Sequence, residues 1–217
     1  VSRFYKTLSS IDCNEKYQAL LLLSGGKDSA YILDRLKKEF PKLKILCLFV
    51  NNGFSSNFAI KNIMHITNKL KTDLIISNDF VNEFYNSFRN AFINLNGQGS
   101  SGVVDKSDGD KIFEIGKNIA SQMNIPYVIG GLSWTQVRQI LNCHDFKEEN
   151  KPALIFPLAV WQTNENEIRK YVRSEGLMLK GTDSPIVSNN DLIVIMCAID
   201  VLNKGYCSFE PEFAQMI

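Results

Sequence analysis

The sequence predicts an α/β domain built on a mostly parallel sheet of five strands. Three observations carry this. Short apolar runs alternate along the chain with longer amphipathic stretches, the rhythm of strand–helix–strand units. The first apolar run, Ala19-Leu20-Leu21-Leu22-Leu23, passes directly into a glycine turn and then a helical pattern. With 217 residues, 45% of them hydrophobic, and only 6 prolines, the chain can bury a sizeable core as one domain.

Residues 18–23 read as the first strand and 29–40 as the helix after it. Residues 44–50 form a second apolar strand, and 58–71 show helical spacing through Ile60, Ile63, Ile66 and Leu70. A third strand is expected at 74–77 and a helix at 81–95, whose aromatics Phe84, Tyr85, Phe88 and Phe92 mark a core-facing stripe. Residues 96–110 break the rhythm with Gly97, Gly99, Gly102 and Gly109 among Ser, Asn and Asp, and read as a long surface loop, a lid or binding loop. A helix at 111–123, a fourth strand at 127–129 and a fifth at 153–156 follow. Asn164-x-x-Glu167 resembles a capping box opening a helix that runs to Ser174 and stops at Gly176. The last helix is expected over 190–202, closed by Gly205. Residues 1–16 read as an N-terminal extension, 17–160 as the main domain, and 161–217 as a helical segment packing on it.

Composition excludes several classes. Lys plus Arg total 24 against 23 Asp plus Glu, so the net charge of +1 gives no global field for nucleic acid or anionic lipid. No apolar stretch approaches the ~20 residues that span a bilayer. Residues 1–13 are polar and lack the apolar core of a signal peptide. Cys13, Cys47, Cys143, Cys197 and Cys207 are odd in number and contain no C-x-x-C, so neither a disulfide framework nor a thiolate zinc site is expected. A reducing cytoplasm fits this cysteine usage. Only two histidines are available, His65 and His144, and no spacing supports a Ser-His-Asp arrangement. Cys143-His144 reads as a helix-end pair rather than an activated thiol.

The sharpest feature is Ser24-Gly25-Gly26-Lys27-Asp28-Ser29, set between the first strand and its helix. Glycines at 25 and 26 let the backbone curl and approach an oxyanion closely. The first amides of the helix are donors without helical partners, and the helix dipole favours an anion there by about 0.3–1 kcal/mol. Ser24 and Ser29 add hydroxyls, and Lys27 a cation. Such a turn suits phosphate at the carboxyl end of the sheet. It matches neither G-x-x-x-x-G-K-[ST] nor G-x-G-x-x-G.

This stretch resembles the PP-loop family, the N-type ATP pyrophosphatases, whose SGGxDS motif follows the first strand. The resemblance implies a Rossmann-like three-layer sandwich with a mostly parallel five-stranded sheet that binds ATP, cleaves it between the α- and β-phosphates, and forms an adenylylated substrate from which a nitrogen or sulfur nucleophile displaces AMP. Carried over by position, Ser24, Gly25, Gly26, Lys27 and Ser29 would cradle pyrophosphate, Lys27 and Asp28 would be catalytic, and Asp28 would contact Mg²⁺. The backbone at Phe49 and Asn51 would border adenine, although many relatives carry Asp where this chain has Asn51. A second glycine turn, Gly130-Gly131-Leu132-Ser133-Trp134, would form the other wall through Gly130, Gly131 and Ser133, with Arg138 one helical turn on as a phosphate contact. Trp134 departs from the basic residue that relatives place there.

The stretch Asn52-Gly53-Phe54 with Asn62-Ile63 and Asp73-Leu74-Ile75 looks like PP-loop proteins of the sugar-amidotransferase kind, with Phe54 either stacking on adenine or packing. Several relatives carry C-x-x-C before residue 111. This chain has Asp105-Lys106-Ser107-Asp108-Gly109-Asp110 instead, read as a polar loop with an Asp capping the next helix, the alternative being a Mg²⁺ site. Lys180, Asp183 and Asn189 are weaker substrate candidates, and Trp161 reads as stapling the helix after Asn164. The expectation is an adenylating amidotransferase or ligase acting on a small-molecule acceptor with ATP and Mg²⁺. An ammonia- or sulfur-donor protein and a second copy of the chain are the partners considered. Nucleic acid and membrane are not expected. The rivals are a sulfurtransferase and a nucleotide-binding regulatory module without turnover.

Overall fold

The computed structural model describes residues 2–9, 15–93, 99–141, 152–184, 187–188 and 191–206. Its centre is β1 (Ala19–Leu22), which pairs in parallel with β2 (Ile45–Val50) on one side and with β4 (Tyr127–Ile129) on the other. β3 (Asp73–Ser77) extends the sheet beyond β2 and β5 (Ala153–Ile155) beyond β4, so the order is β3-β2-β1-β4-β5 with every pair parallel. Parallel neighbours require crossovers, and the helices supply them. The chain winds outward from β1 to β3, then returns to β4 beside β1, which creates a topological switch point and a crevice at the carboxyl ends of β1 and β4.

The side-chain period of two sorts β1 onto two cores. Ala19, Leu21 and Leu23 join the cluster under α2 (Lys27–Glu39), α3 (Asn57–Leu70), α7 (Pro157–Trp161) and α8 (Glu165–Ser174). Leu20 and Leu22 join the opposite cluster under α4 (Val81–Ile93), α5 (Gly99–Gln122) and α9 (Asp191–Lys204). β1 and β2 are buried at every position, whereas β3, at the sheet edge, buries only Ser77. α1 (Ser2–Ser9) contributes Phe4 and Leu8 to the first core, where Phe4 meets Trp161 edge-on at 5.9 Å. Trp161 also meets Tyr31 edge-on and carries the Arg35 guanidinium 4.1 Å above its ring. α6 (Trp134–Leu141) completes the set and packs on α7.

Most sequence expectations hold within a residue or two. Asn164 and Glu167 form the reciprocal capping box at the head of α8, with Glu167 N donating to Asn164 Oδ1 at 2.9 Å. One expectation is overturned. The span 96–110 is not a long surface loop: from Gly99 onward it is helix, continuous with the turns expected at 111–123. Tertiary packing overrides the roughly 1 kcal/mol that each interior glycine costs a helix. α5 lies against β1, β2 and β4 and between α4 and α9, burying Ile115 and Ala120. Gly116 makes the close approach to the sheet, since a Cβ there would lie 2.7 Å from Leu22 Cδ2. Asp105, Asp108 and Asp110 are accordingly inside the helix, and none of them caps a helix that starts at 111.

Candidate functional site

The turn from β1 into α2 lies at the mouth of the switch-point crevice. Gly25 adopts φ +80°, a conformation that favours glycine, and is pressed against α3 so closely that a Cβ would sit 2.3 Å from the Ala59 carbonyl oxygen. Gly26 is the N-cap of α2 and has no side chain to cap its amides. The hydroxyls at either end close on one another: Ser24 Oγ and Ser29 Oγ are 3.3 Å apart, and Ser29 Oγ donates to the Gly26 carbonyl at 3.1 Å. Gly26 N donates to Ser24 Oγ at 3.3 Å. The carbonyl of Gly25 points the other way and accepts from Asn62 Nδ2 at 3.0 Å.

Lys27 occupies the first position of α2, with its side chain only 10% exposed. Its ammonium lies 3.0 Å from Asp28 Oδ2 and 3.5 Å from Glu165 Oε1 at the start of α8. Glu165 also pairs with Arg169 at 2.6 Å. Burial pushes the Glu165 carboxyl up, but the Arg169 hydrogen bond and the charges of Lys27 and Arg169 outweigh it and hold the group below the usual carboxylate range. Arg169 then meets Asp183 at 3.4 Å, and Arg173 meets the same carboxylate at 2.7 Å. A chain of charges thus runs from the loop to residue 183.

Beside the loop, at the carboxyl ends of β1 and β2, is a pocket of about 80 Å³ whose walls include Ser24, Phe49, Val50, Asn52, Asp108 and Ile112. Its polar wall is a buried pair, with Asn52 Nδ2 donating to Asp108 Oδ1 at 2.9 Å. Asn52 Oδ1 accepts from Phe54 N and Ser55 Oγ, so the carboxamide is oriented by all its partners. Across the switch point, Gly131 faces the loop, where a Cβ would lie 4.0 Å from Asp28 Cβ.

The other sequence candidates separate. Gly130 is needed for packing, since a Cβ would lie 2.7 Å from Phe113 and 2.8 Å from Phe156. Ser133 caps α6 in exchange with Gln136, whose Oε1 accepts from Ser133 N at 2.9 Å. The Asn51 side chain bonds Gly53 N and Asn78 at the end of β2. Phe54 packs edge-on against Phe88. Lys180 is exposed, and Asp183 is buried in its arginine pairs. Cys143, His144, Asn189 and the side chain of Arg138 lie outside the described residues. Among the described residues there is no group of three or more His, Cys, Asp or Glu poised for a metal, and no helix long and apolar enough to cross a membrane.

No family model matches the sequence. A stretch of 63 residues is 43% identical to an uncharacterized protein of Methanocaldococcus jannaschii, covering 29% of this chain and 22% of that one. The structure is similar to the U34-tRNA thiolase NcsA from Methanococcus maripaludis with its 4Fe-4S cluster, at TM-score 0.55 and 15% identity over 93% of this chain and 72% of that one. It is similar to the NH3-dependent NAD synthetase from Campylobacter jejuni at TM-score 0.55 and 13% identity, over 94% of this chain and 80% of that one. NMN synthetase from Francisella tularensis gives TM-score 0.54 and 12% identity over 81% and 71%. These likenesses show a shared α/β fold.

Among the residues at the loop or its pocket that the Ser24–Ser29 motif does not contain are Asn62, Asp108 and Glu165. Asn62 was legible in principle: it falls on the buried face of α3 with Ala59, Ile63 and Ile66, and a polar side chain in an apolar stripe calls for partners. Asp108 was hidden by the loop reading of its segment. Glu165 is far from the motif in sequence, and only the packing of α8 on α2 brings it to Lys27.

Proposed function

We propose that this chain binds ATP across the β1–α2 turn and the adjoining pocket and uses it to adenylate a small-molecule acceptor, releasing pyrophosphate. The observation that carries this reading is the Gly25–Gly26 curl at the switch point with Lys27 on the first turn of α2. Two hydroxyls, an uncapped helix start and a cation converge there, which suits a diphosphate. The nucleoside would occupy the neighbouring pocket, with Phe49 and Val50 on one side and the Asn52–Asp108 pair on the other.

The chemistry has two steps. An acceptor oxygen attacks the α-phosphorus, the bond to the bridging oxygen of the β-phosphate breaks, and pyrophosphate leaves onto the loop. Ammonia then attacks the activated carbon, the carbon–oxygen bond breaks, a proton is lost, and AMP departs. Lys27 and the loop donors stabilise the charge that builds on the leaving pyrophosphate, where one well-aimed donor is worth about 10²–10³ in rate. Magnesium commonly rides on substrate phosphates with one or two carboxylates from the protein, and Asp28, 40% exposed beside the loop, fits that mode. When bound, the ion would neutralise phosphate charge.

Nitrogen is favoured over sulfur because the sequence carries no C-x-x-C and two of its cysteines are buried. Cys47 is buried in β2 and Cys197 in the core under α9. Burial pushes the Cys47 thiol up to about 12. The acceptor, a donor protein for ammonia, a homodimer and a cytoplasmic location complete the proposal. The test supplies ATP and Mg²⁺ with a metabolite extract and either ammonium or sulfide. Acceptor-dependent AMP with ammonium supports the amidotransferase or ligase reading. Preference for sulfide would transfer the proposal to thiolation, and ATP binding with no AMP under any condition would leave a regulatory module.

A further inference from the structure

We propose that Asn62 is a positioning residue that decides which way the Gly25–Gly26 peptide faces, and that through it residues 179–182 set the affinity of the loop for pyrophosphate. This rests on the reading of that loop as a pyrophosphate site. A trans peptide carries its carbonyl and its N–H on opposite sides of one plane. The Gly25 carbonyl and the Gly26 N–H belong to the same peptide. Because Asn62 Nδ2 holds the carbonyl at 3.0 Å, the N–H is turned toward Ser24 Oγ at the loop mouth. Rotated by half a turn, the same peptide would place an oxygen where a phosphate oxygen should sit and would withdraw a donor.

Two adjacent glycines give that rotation little steric resistance, so a side chain has to oppose it. The next carbonyl, that of Gly26, is held by Ser29 Oγ and Ala30 N. The Gly25 carbonyl is held by Asn62.

Asn62 is fully buried, and its other end is committed elsewhere. Oδ1 accepts from Leu179 N at 3.1 Å and lies 3.0 Å from the Thr182 hydroxyl. The orientation of the carboxamide follows from its partners: the Gly25 carbonyl can only accept and the Leu179 amide can only donate. One buried carboxamide therefore ties the anion loop to residues 179–182. A ligand that orders this segment would tighten the loop for pyrophosphate, and the reverse holds by linkage.

The experiment titrates inorganic pyrophosphate with Mg²⁺ into the wild type and three variants by calorimetry, with melting temperatures measured alongside. Asn62→Asp keeps the acceptor for Leu179 and Thr182 but sets an oxygen against the Gly25 carbonyl, and the expected loss of affinity is roughly tenfold or more. Thr182→Val keeps the shape and loses the hydroxyl, with an expected loss of about threefold to tenfold. Thr182→Ser keeps the hydroxyl and loses a methyl group, so it should bind like the wild type while melting lower.

A merely structural role would reverse the order of the last two or leave all affinities unchanged. Asn62→Asp folded and binding within about twofold of the wild type would overturn the proposal. If that variant does not fold, the Thr182→Val and Thr182→Ser pair decides. A wild type that binds no pyrophosphate overturns the loop assignment itself, and this inference with it. Unaffected variants of a binding wild type overturn the role of Asn62 alone.

Discussion

The Lys27 ammonium lies 3.5 Å from Glu165 Oε1, so the cation at the β1–α2 turn is already paired with a carboxylate on another helix. An incoming phosphate must displace it or share the ammonium with it. Glu165→Gln is therefore expected to tighten pyrophosphate binding by about twofold to fivefold, the worth of a half-exposed pair. Since Glu165 titrates below its ordinary value, its charge persists as the pH falls toward acid and is lost only below that depressed value. The difference between wild type and variant should stay constant between about pH 5 and 8. Calorimetric titration across that range checks both statements, and a gap that closes near neutral pH would contradict them.

Replacing Lys27 removes the loop cation without altering Gly25, Gly26 or the hydroxyls. Lys27→Ala should reduce AMP formation by about 10²–10³ with the circular dichroism spectrum retained. Unchanged turnover in the folded variant would show that pyrophosphate does not leave across this loop.

Gly25→Ala places a methyl 2.3 Å from the Ala59 carbonyl oxygen in a backbone conformation that L-residues avoid. The loop or α3 must shift, at an expected cost of about 2 kcal/mol or more, seen as a fall in Tm of ~4–8 °C. Thermal melts measure this, and pyrophosphate binding should weaken in parallel.

The Asn52–Asp108 pair lines the pocket next to the loop. Asp108→Ala should weaken ATP by roughly tenfold while leaving pyrophosphate within about twofold, because pyrophosphate does not reach that wall. Equal losses for both ligands would place Asp108 in the loop's own support.

Cys47 sits in the middle of β2, and burial holds its thiol protonated, with a pKa pushed up to about 12, against a weaker opposing pull from Thr72. Iodoacetamide at mildly alkaline pH should leave the Cys47 peptide unlabelled in the native protein and label it in denaturant, as mass spectrometry would record.

The fold was largely legible in the sequence because β1 and β2 are apolar runs and the helices between them carry stripes such as Ile63 and Ile66. The β1–α2 turn was legible because two glycines between an apolar run and a helical pattern permit the positive φ and close approach that such a tight turn needs. What escaped was set by distant packing. Residues 99–110 carry glycines and polar side chains that locally favour a loop, and the rest of α5, seated on the sheet, draws them into helix. Asp108 became visible as a pocket residue only once that helix faced Asn52. Glu165 and Thr182 reach the loop through α8 and Asn62, over separations that no local pattern encodes.

The proposed activity rests on cleavage of ATP at the α-phosphorus. Phosphorus-31 NMR of the full chain with ATP, Mg²⁺, ammonium and a metabolite extract follows every phosphate at once. The expected result is equal appearance of AMP and pyrophosphate that depends on the extract and is abolished in Lys27→Ala. Appearance of ADP and inorganic phosphate in its place would contradict cleavage at the α-phosphorus and the assignment of the Ser24–Ser29 loop as the seat of a leaving pyrophosphate.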